Sequence, residues 1–265
     1  MAAEWGSLGL TVGTTALLRA TQLDPAGIWG KRRIRDSCVK DLSAMLSAVR
    51  PDADLEEQLS ALLGLELQGL LAARVSELSV HFANRSACLE MRRAGERDPL
   101  CAELSVVAFA LQDPPLGGAR RVTLLATDSA EGAVASSIVR RVLLAAEPAC
   151  GLSIVNIRIV EDPPTVRKSQ GEHSWTTCWP RFKDVLEEIN EKGSDLPVRL
   201  DITGGYKGWS FIFGYAASWL KYQVSYLHEN SLEPVVWLPE DFVEIVQSGC
   251  ALAEEVQISP DDIVP

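Results

Sequence analysis

The stretch LDITGGYKGWSFIFGYAASWLKY (Leu200–Tyr222) decides how this chain is read. A short apolar run with β-branched residues stops at Thr203-Gly204-Gly205-Tyr206-Lys207, and an almost wholly apolar segment follows. That order predicts a strand, a tight glycine turn and a helix buried against a sheet. Two glycines bring no Cβ, so the backbone there can turn sharply or approach a ligand closely. The helix that follows would offer unpaired N–H groups and a positive dipole end. Lys207 in its first turn opposes that dipole, which points to an anionic partner. Taken alone, the same residues are better explained as a turn with a surface lysine.

Working outward, other short β-like runs alternate with helical patterns. They are Leu8–Val12, Arg121–Ala126, Leu152–Val160, Val198–Ile202, Gln223–His228 and Val235–Leu238. Between them, 132–146 places Val134, Ile138 and Val142 on one apolar face, with Arg140 and Arg141 expected to turn outward. Residues 181–191 repeat the pattern with Phe182, Val185, Leu186 and Ile189, and 206–220 is the apolar helix. Strands alternating with helices predict an α/β fold, Rossmann-like, with a mostly parallel doubly wound sheet. The last two runs lie close together and predict an antiparallel edge hairpin. From about 31 to 111 helical periodicity dominates, as in Leu67, Leu70 and Leu71, so a helical insertion is expected after the first strand. The whole chain, 1–265, reads as a single domain with an acidic C-terminal tail from about 249 to 265.

Composition narrows the function. Apolar residues make up 47% of the 265, ample for a core. A net charge of −11 argues against general affinity for long nucleic acid, which needs clustered Lys and Arg. The six cysteines are dispersed without a C-x-x-C pair, which supplies neither a zinc set nor a disulfide framework. No metal and no cofactor is therefore expected. The start lacks a basic leader with a long apolar core, and 211–220 is about half a bilayer span. A soluble cytoplasmic protein without membrane partners is the expectation.

In open α/β sheets ligands bind beyond the carboxyl ends of the strands. Four loops fall there. The first, Val12-Gly13-Thr14-Thr15, sets two hydroxyls beside a glycine, though Thr14 or Thr15 could simply cap the next helix. In the second, Asp128 suits either a ribose hydroxyl or a helix cap. The third, 161–177, is long, polar and proline-led, and its Arg167, Lys168 and His173 could contact an anion or remain solvated. The fourth is Thr203–Lys207. His228 ends a strand beside Glu229 and reads as a structural histidine. No Walker A, dinucleotide fingerprint, G-x-S-x-G or H-E-x-x-H motif occurs.

Gly13-Thr14-Thr15 and Thr203-Gly204-Gly205-Tyr206-Lys207 together resemble the two motifs of the CRISPR-associated Rossmann-fold (CARF) domain, a "VGTS"-like first loop and a "TGGxK"-like later loop. LLATDSAEG resembles that family's second strand with its T-D-T loop, and YQVSYLHENSLEPVVWLP its closing strands. The chain departs in Thr15, where the family often has Ser, and in the Glu4-Trp5-Gly6 lead-in. The likeness spans nearly the whole chain. It implies a homodimer that binds a cyclic oligoadenylate, most often the tetra-adenylate, across its two-fold axis. Stand-alone members resemble ring nucleases of type III CRISPR signalling. These cleave the messenger without metal, by attack of the ribose 2′-hydroxyl on its neighbouring phosphorus to leave a 2′,3′-cyclic phosphate. The resemblance implies that Lys207 meets the phosphoryl charge and that Thr15 or Thr14 orients phosphate or 2′-hydroxyl. It implies a cradle from the amides of Gly13, Gly204 and Gly205. Thr203, Tyr206, Asp128, Arg167, Lys168 and His173 complete the expected ligand contacts, with His173 the candidate base. The alternative is a sensor that binds the ring and leaves it intact.

Overall fold

A computed structural model describes residues 5–13, 16, 65–112, 120–127, 130–150, 152–160, 183–190, 197–204, 213–214, 216–217, 219–228 and 231–241. The run Leu8–Val12, sparse as a sequence signal, becomes the strand on which the fold is centred. β1 (Ser7–Val12) is buried along its whole length and pairs in parallel with two neighbours. Its lead-in is an anchor. The Trp5 indole, fully buried, donates to the Ala110 carbonyl at 2.9 Å, and the Arg120 guanidinium stacks 4.8 Å over its ring. The Gly6 amide donates to the Pro197 carbonyl, and the Gly6 carbonyl accepts from the Arg121 amide, so the ladder continues on both sides.

After β1 come α1 (Leu65–Ala83), α2 (Arg85–Arg93) and α3 (Ala102–Ala110), then β2 (Arg120–Thr127), α4 (Ala130–Cys150) and β3 (Leu152–Val160). β4 (Val198–Asp201), β5 (Gln223–Tyr226) and β6 (Val235–Trp237) follow. The sheet order is β3-β2-β1-β4-β5-β6, with every pair parallel except β5 and β6. The α/β class, the doubly wound sheet, the antiparallel edge hairpin and the helical segment after the first strand all stand as the sequence predicts.

Two cores flank the sheet because strand side chains alternate between faces. Leu8, Leu10 and Val12 of β1, with Val122, Leu124 and Ala126 of β2, meet α1, α3 and α4 on one face. Leu125, Val198, Leu200 and Val224 meet Leu186, Ile189, Phe213, Ala216 and Ala217 on the other. Gly9 points to that second face. A Cβ there would stand 2.7 Å from Ile189 Cδ1 and from Leu200 Cδ1, so the helical residues 183–189 pack directly on bare backbone. Across the same face the Tyr222 hydroxyl donates to the Leu186 carbonyl at 3.0 Å. Lys221, at φ 60, lets the preceding helical turn close through the Tyr222 amide on the Ala217 carbonyl before β5 begins.

One detail departs from the sequence reading. Arg140 does not simply turn outward: it is half-buried and donates Nε–H to the Val155 carbonyl at 3.0 Å, tying α4 to β3. Of the helical segment, the described helices α1 to α3 pack into the sheet's own core. The acidic tail from about 249 and the segment 31–64 lie outside the described residues.

Candidate ligand-binding edge of the sheet

The strand order places a topological switch between β1 and β4. The chain leaves β1 towards β2 on one side and returns to β4 on the other, the arrangement at which open α/β sheets bind ligands beyond the carboxyl ends of the strands. Gly13 follows β1 and Thr203-Gly204 follows β4, so both glycine turns lie at this edge.

They are in contact. A Cβ on Gly204 would stand 2.1 Å from the Thr11 carbonyl oxygen and 3.0 Å from the Gly13 nitrogen. No side chain fits there, which gives Gly204 a reason beyond turn geometry. The Thr11 hydroxyl bridges the same gap. It donates to the Gly204 carbonyl oxygen at 2.6 Å, with the Asp201 carbonyl oxygen a second acceptor at 3.1 Å.

Asp201 shapes the second turn from below. Its carboxylate is fully buried; Oδ1 accepts the Thr203 amide at 2.9 Å, and Oδ2 accepts the Ser225 hydroxyl at 2.7 Å. Burial pushes this carboxyl up to about 6, against the lowering effect of the Ser225 and Thr203 hydrogen bonds and of Arg199. The Thr203 hydroxyl oxygen accepts the Leu227 amide at 2.7 Å, which clips the end of β4 to the end of β5.

The first turn is set from farther away. The Gly13 amide donates to Oε1 of Glu103 at 2.9 Å, a fully buried carboxylate in the first turn of α3. Arg74 of α1, 1% exposed, donates Nε–H to the Ala16 carbonyl at 3.3 Å and pairs through Nη1 with Glu77 at 2.7 Å. Burial, and after it the Glu103 charge, hold the adjacent Cys101 thiol well above its ordinary range, while the Arg74 charge works the other way. From α2, Arg92 donates to the Ser231 carbonyl at 2.9 Å and the His228 carbonyl at 3.1 Å, fixing the connection after β5. Each described helix between β1 and β2 therefore sends one charged side chain to the main chain at this edge.

Of the residues predicted for the site, Gly13, Thr203 and Gly204 are described, and the fold brings all three together. The Gly13 amide is engaged by Glu103. Thr14, Thr15, Asp128, Arg167, Lys168, His173, Gly205, Tyr206 and Lys207 lie outside the described residues. Sequence reasoning passed over Thr11, Asp201, Arg74, Arg92 and Glu103. A signal for Glu103 was present: a lone acid in the otherwise apolar AELSVVAFA has to find a donor once that helix is buried.

No described helix is long and apolar enough to cross a membrane. The fold and this edge define a doubly wound α/β protein with its two glycine turns at the switch point. Residues 98–240, more than half of the chain, match the model of the CRISPR-associated protein family Cas_APE2256, and the chain belongs to that family. The match runs from just before α3 to just past β6, so it includes Glu103 and the Thr203-Gly204 turn. No curated protein matches the chain.

Proposed function

We propose that the carboxyl edge at β1 and β4 receives a cyclic oligoadenylate, the tetra-adenylate foremost, across the two-fold axis of a homodimer. We propose further that the protein opens this ring as a metal-independent ring nuclease. The observation that carries the reading is the abutment of Gly204 on Thr11 and Gly13. It brings Gly13 and Gly204, one from each of the two motifs that resemble the CARF loops, together at the switch point, although they stand 191 positions apart in sequence (204 − 13). Membership of a CRISPR-associated family supports the same direction. In cleavage, a bond forms between the ribose 2′-oxygen and its neighbouring phosphorus as the bond to the 5′-oxygen breaks. The 2′-proton leaves and the 5′-oxygen gains one, so no further reactant is consumed. Lys207 and Thr15 are assigned to the phosphoryl charge and to orientation from the motif resemblance.

The test is incubation of the full chain with labelled cyclic tri-, tetra- and hexa-adenylate in EDTA, beside Lys207→Ala. Linear products with 2′,3′-cyclic phosphate ends are expected from the unsubstituted protein. In Lys207→Ala the rate should fall by roughly a hundredfold or more, the scale seen when one charge-stabilising donor is lost. Tight binding of an intact ring would leave a sensor, and binding of no ring would remove the ligand class.

A further inference from the structure

Of the histidines in the described residues, His228 stands at the carboxyl edge, immediately after β5. β4 and β5 pair in parallel with Asp201 abreast of Ser225, and the Leu227 amide is clipped to Thr203. The Leu227 amide on the Thr203 hydroxyl keeps the two chains side by side just past the last ladder pair, so His228 follows next to the β4 turn whose Gly204 abuts Gly13. In the sheet order β5 is next to β4 and two places from β1, so His228 leaves its strand at the same edge as both turns.

The main chain of His228 is fixed from both sides. Ahead of it, the Leu227 amide is held by the Thr203 hydroxyl. Behind it, the His228 carbonyl accepts from Arg92 Nη2 and from the Ser231 amide, and Arg92 also holds the Ser231 carbonyl. The imidazole itself is exposed and meets the Tyr226 ring edge-on at 6.3 Å. Backbone held this firmly under an exposed proton-transfer group is how a reactive side chain is pre-organised.

We propose that His228 is the proton-transfer residue of the ring cleavage, with Arg92 its positioning residue; the proposal rests on the cleavage reading above. The His228 imidazole takes the proton from the attacking 2′-hydroxyl and delivers it to the departing 5′-oxygen. The side chain ends in its starting form. Protons and electrons balance without an added reactant.

The experiment measures single-turnover cleavage and ring affinity separately, with labelled cyclic tetra-adenylate and the full chain. The proteins are unsubstituted, His228→Ala, His228→Gln and Arg92→Met, each checked by its melting curve. Both His228 variants should lose roughly a hundredfold in rate, the lower end for a lost general base, while affinity changes less than about threefold. Arg92→Met should lose rate by about tenfold, again with affinity nearly kept, because it releases the backbone and leaves the imidazole present. His228→Gln serves if His228→Ala does not fold, since an amide cannot carry the proton. Cleavage by folded His228 variants at the unsubstituted rate would overturn this assignment and leave the nuclease reading intact. A ring left whole by the unsubstituted protein would overturn both.

Discussion

The turns after β1 and β4 touch, yet they are held by opposite means. The β4 turn is braced locally: Asp201 accepts the amide two residues on, and Ser225 and Leu227 on the adjoining strand complete the brace. The β1 turn is braced from a distance, by Glu103, ninety residues away in sequence, and by Arg74 at Ala16. Local bracing survives wherever the β4–β5 pair forms. Distant bracing requires that α1 and α3 already be seated on the sheet. The first turn is therefore coupled to the helical segment, and the second to the sheet alone.

The contact between the turns is the point most easily broken. Gly204→Ala drives a methyl into the Thr11 carbonyl, backbone against backbone, with no flexible side chain to yield. A loss of about 3 kcal/mol or more in chemical denaturation is expected. Stability unchanged by that substitution would mean that the turns do not abut.

Next in size is the pH response of the local brace. Asp201 has its pKa raised from 3.8 to about 6, so the folded state binds the proton more tightly than the unfolded chain. The contribution of the protonated carboxyl is thus fully present below about pH 4 and is lost as pH rises through 6. The span is about 3 kcal/mol at most. Asp201→Asn keeps an acceptor for Thr203 and offers a donor to Ser225. It should flatten the stability profile between pH 4 and 6 and be no less stable than the unsubstituted protein at pH 7. Denaturation midpoints across that range measure both, and an unaltered slope would reassign the titration.

The smallest effect probes the distant brace. Glu103→Ala leaves the half-buried Gly13 amide without its acceptor, a loss of about 2 kcal/mol, whereas Glu103→Gln keeps an oxygen there and should lose less. Hydrogen exchange at the Gly13 amide should quicken in Glu103→Ala before exchange at Thr203 changes. Equal quickening at both would erase the distinction between the two turns.

Much of the fold was legible because its signals are local. Strand runs, the apolar period of α4 and the glycine turn each occupy a few neighbouring residues. Even so, strand ends shifted: the run read as Gln223–His228 stops at Tyr226, since Leu227 turns its amide to a threonine hydroxyl instead of a strand carbonyl. Arg140 was misread because helical periodicity says which face a residue occupies but not that a long side chain can bend back to a β3 carbonyl.

By itself, the sequence determined the class of the fold and the glycine turns, because apolar runs, helical periods and missing Cβ atoms act over a few residues. Only the tertiary structure decided that β1 is the switch-point strand, that Gly204 rests on Thr11, and that Glu103, Arg74 and Arg92 reach the edge. Those partners stand far apart along the chain. A buried charge must find its partner wherever the packed fold puts one, and no local pattern encodes that distance.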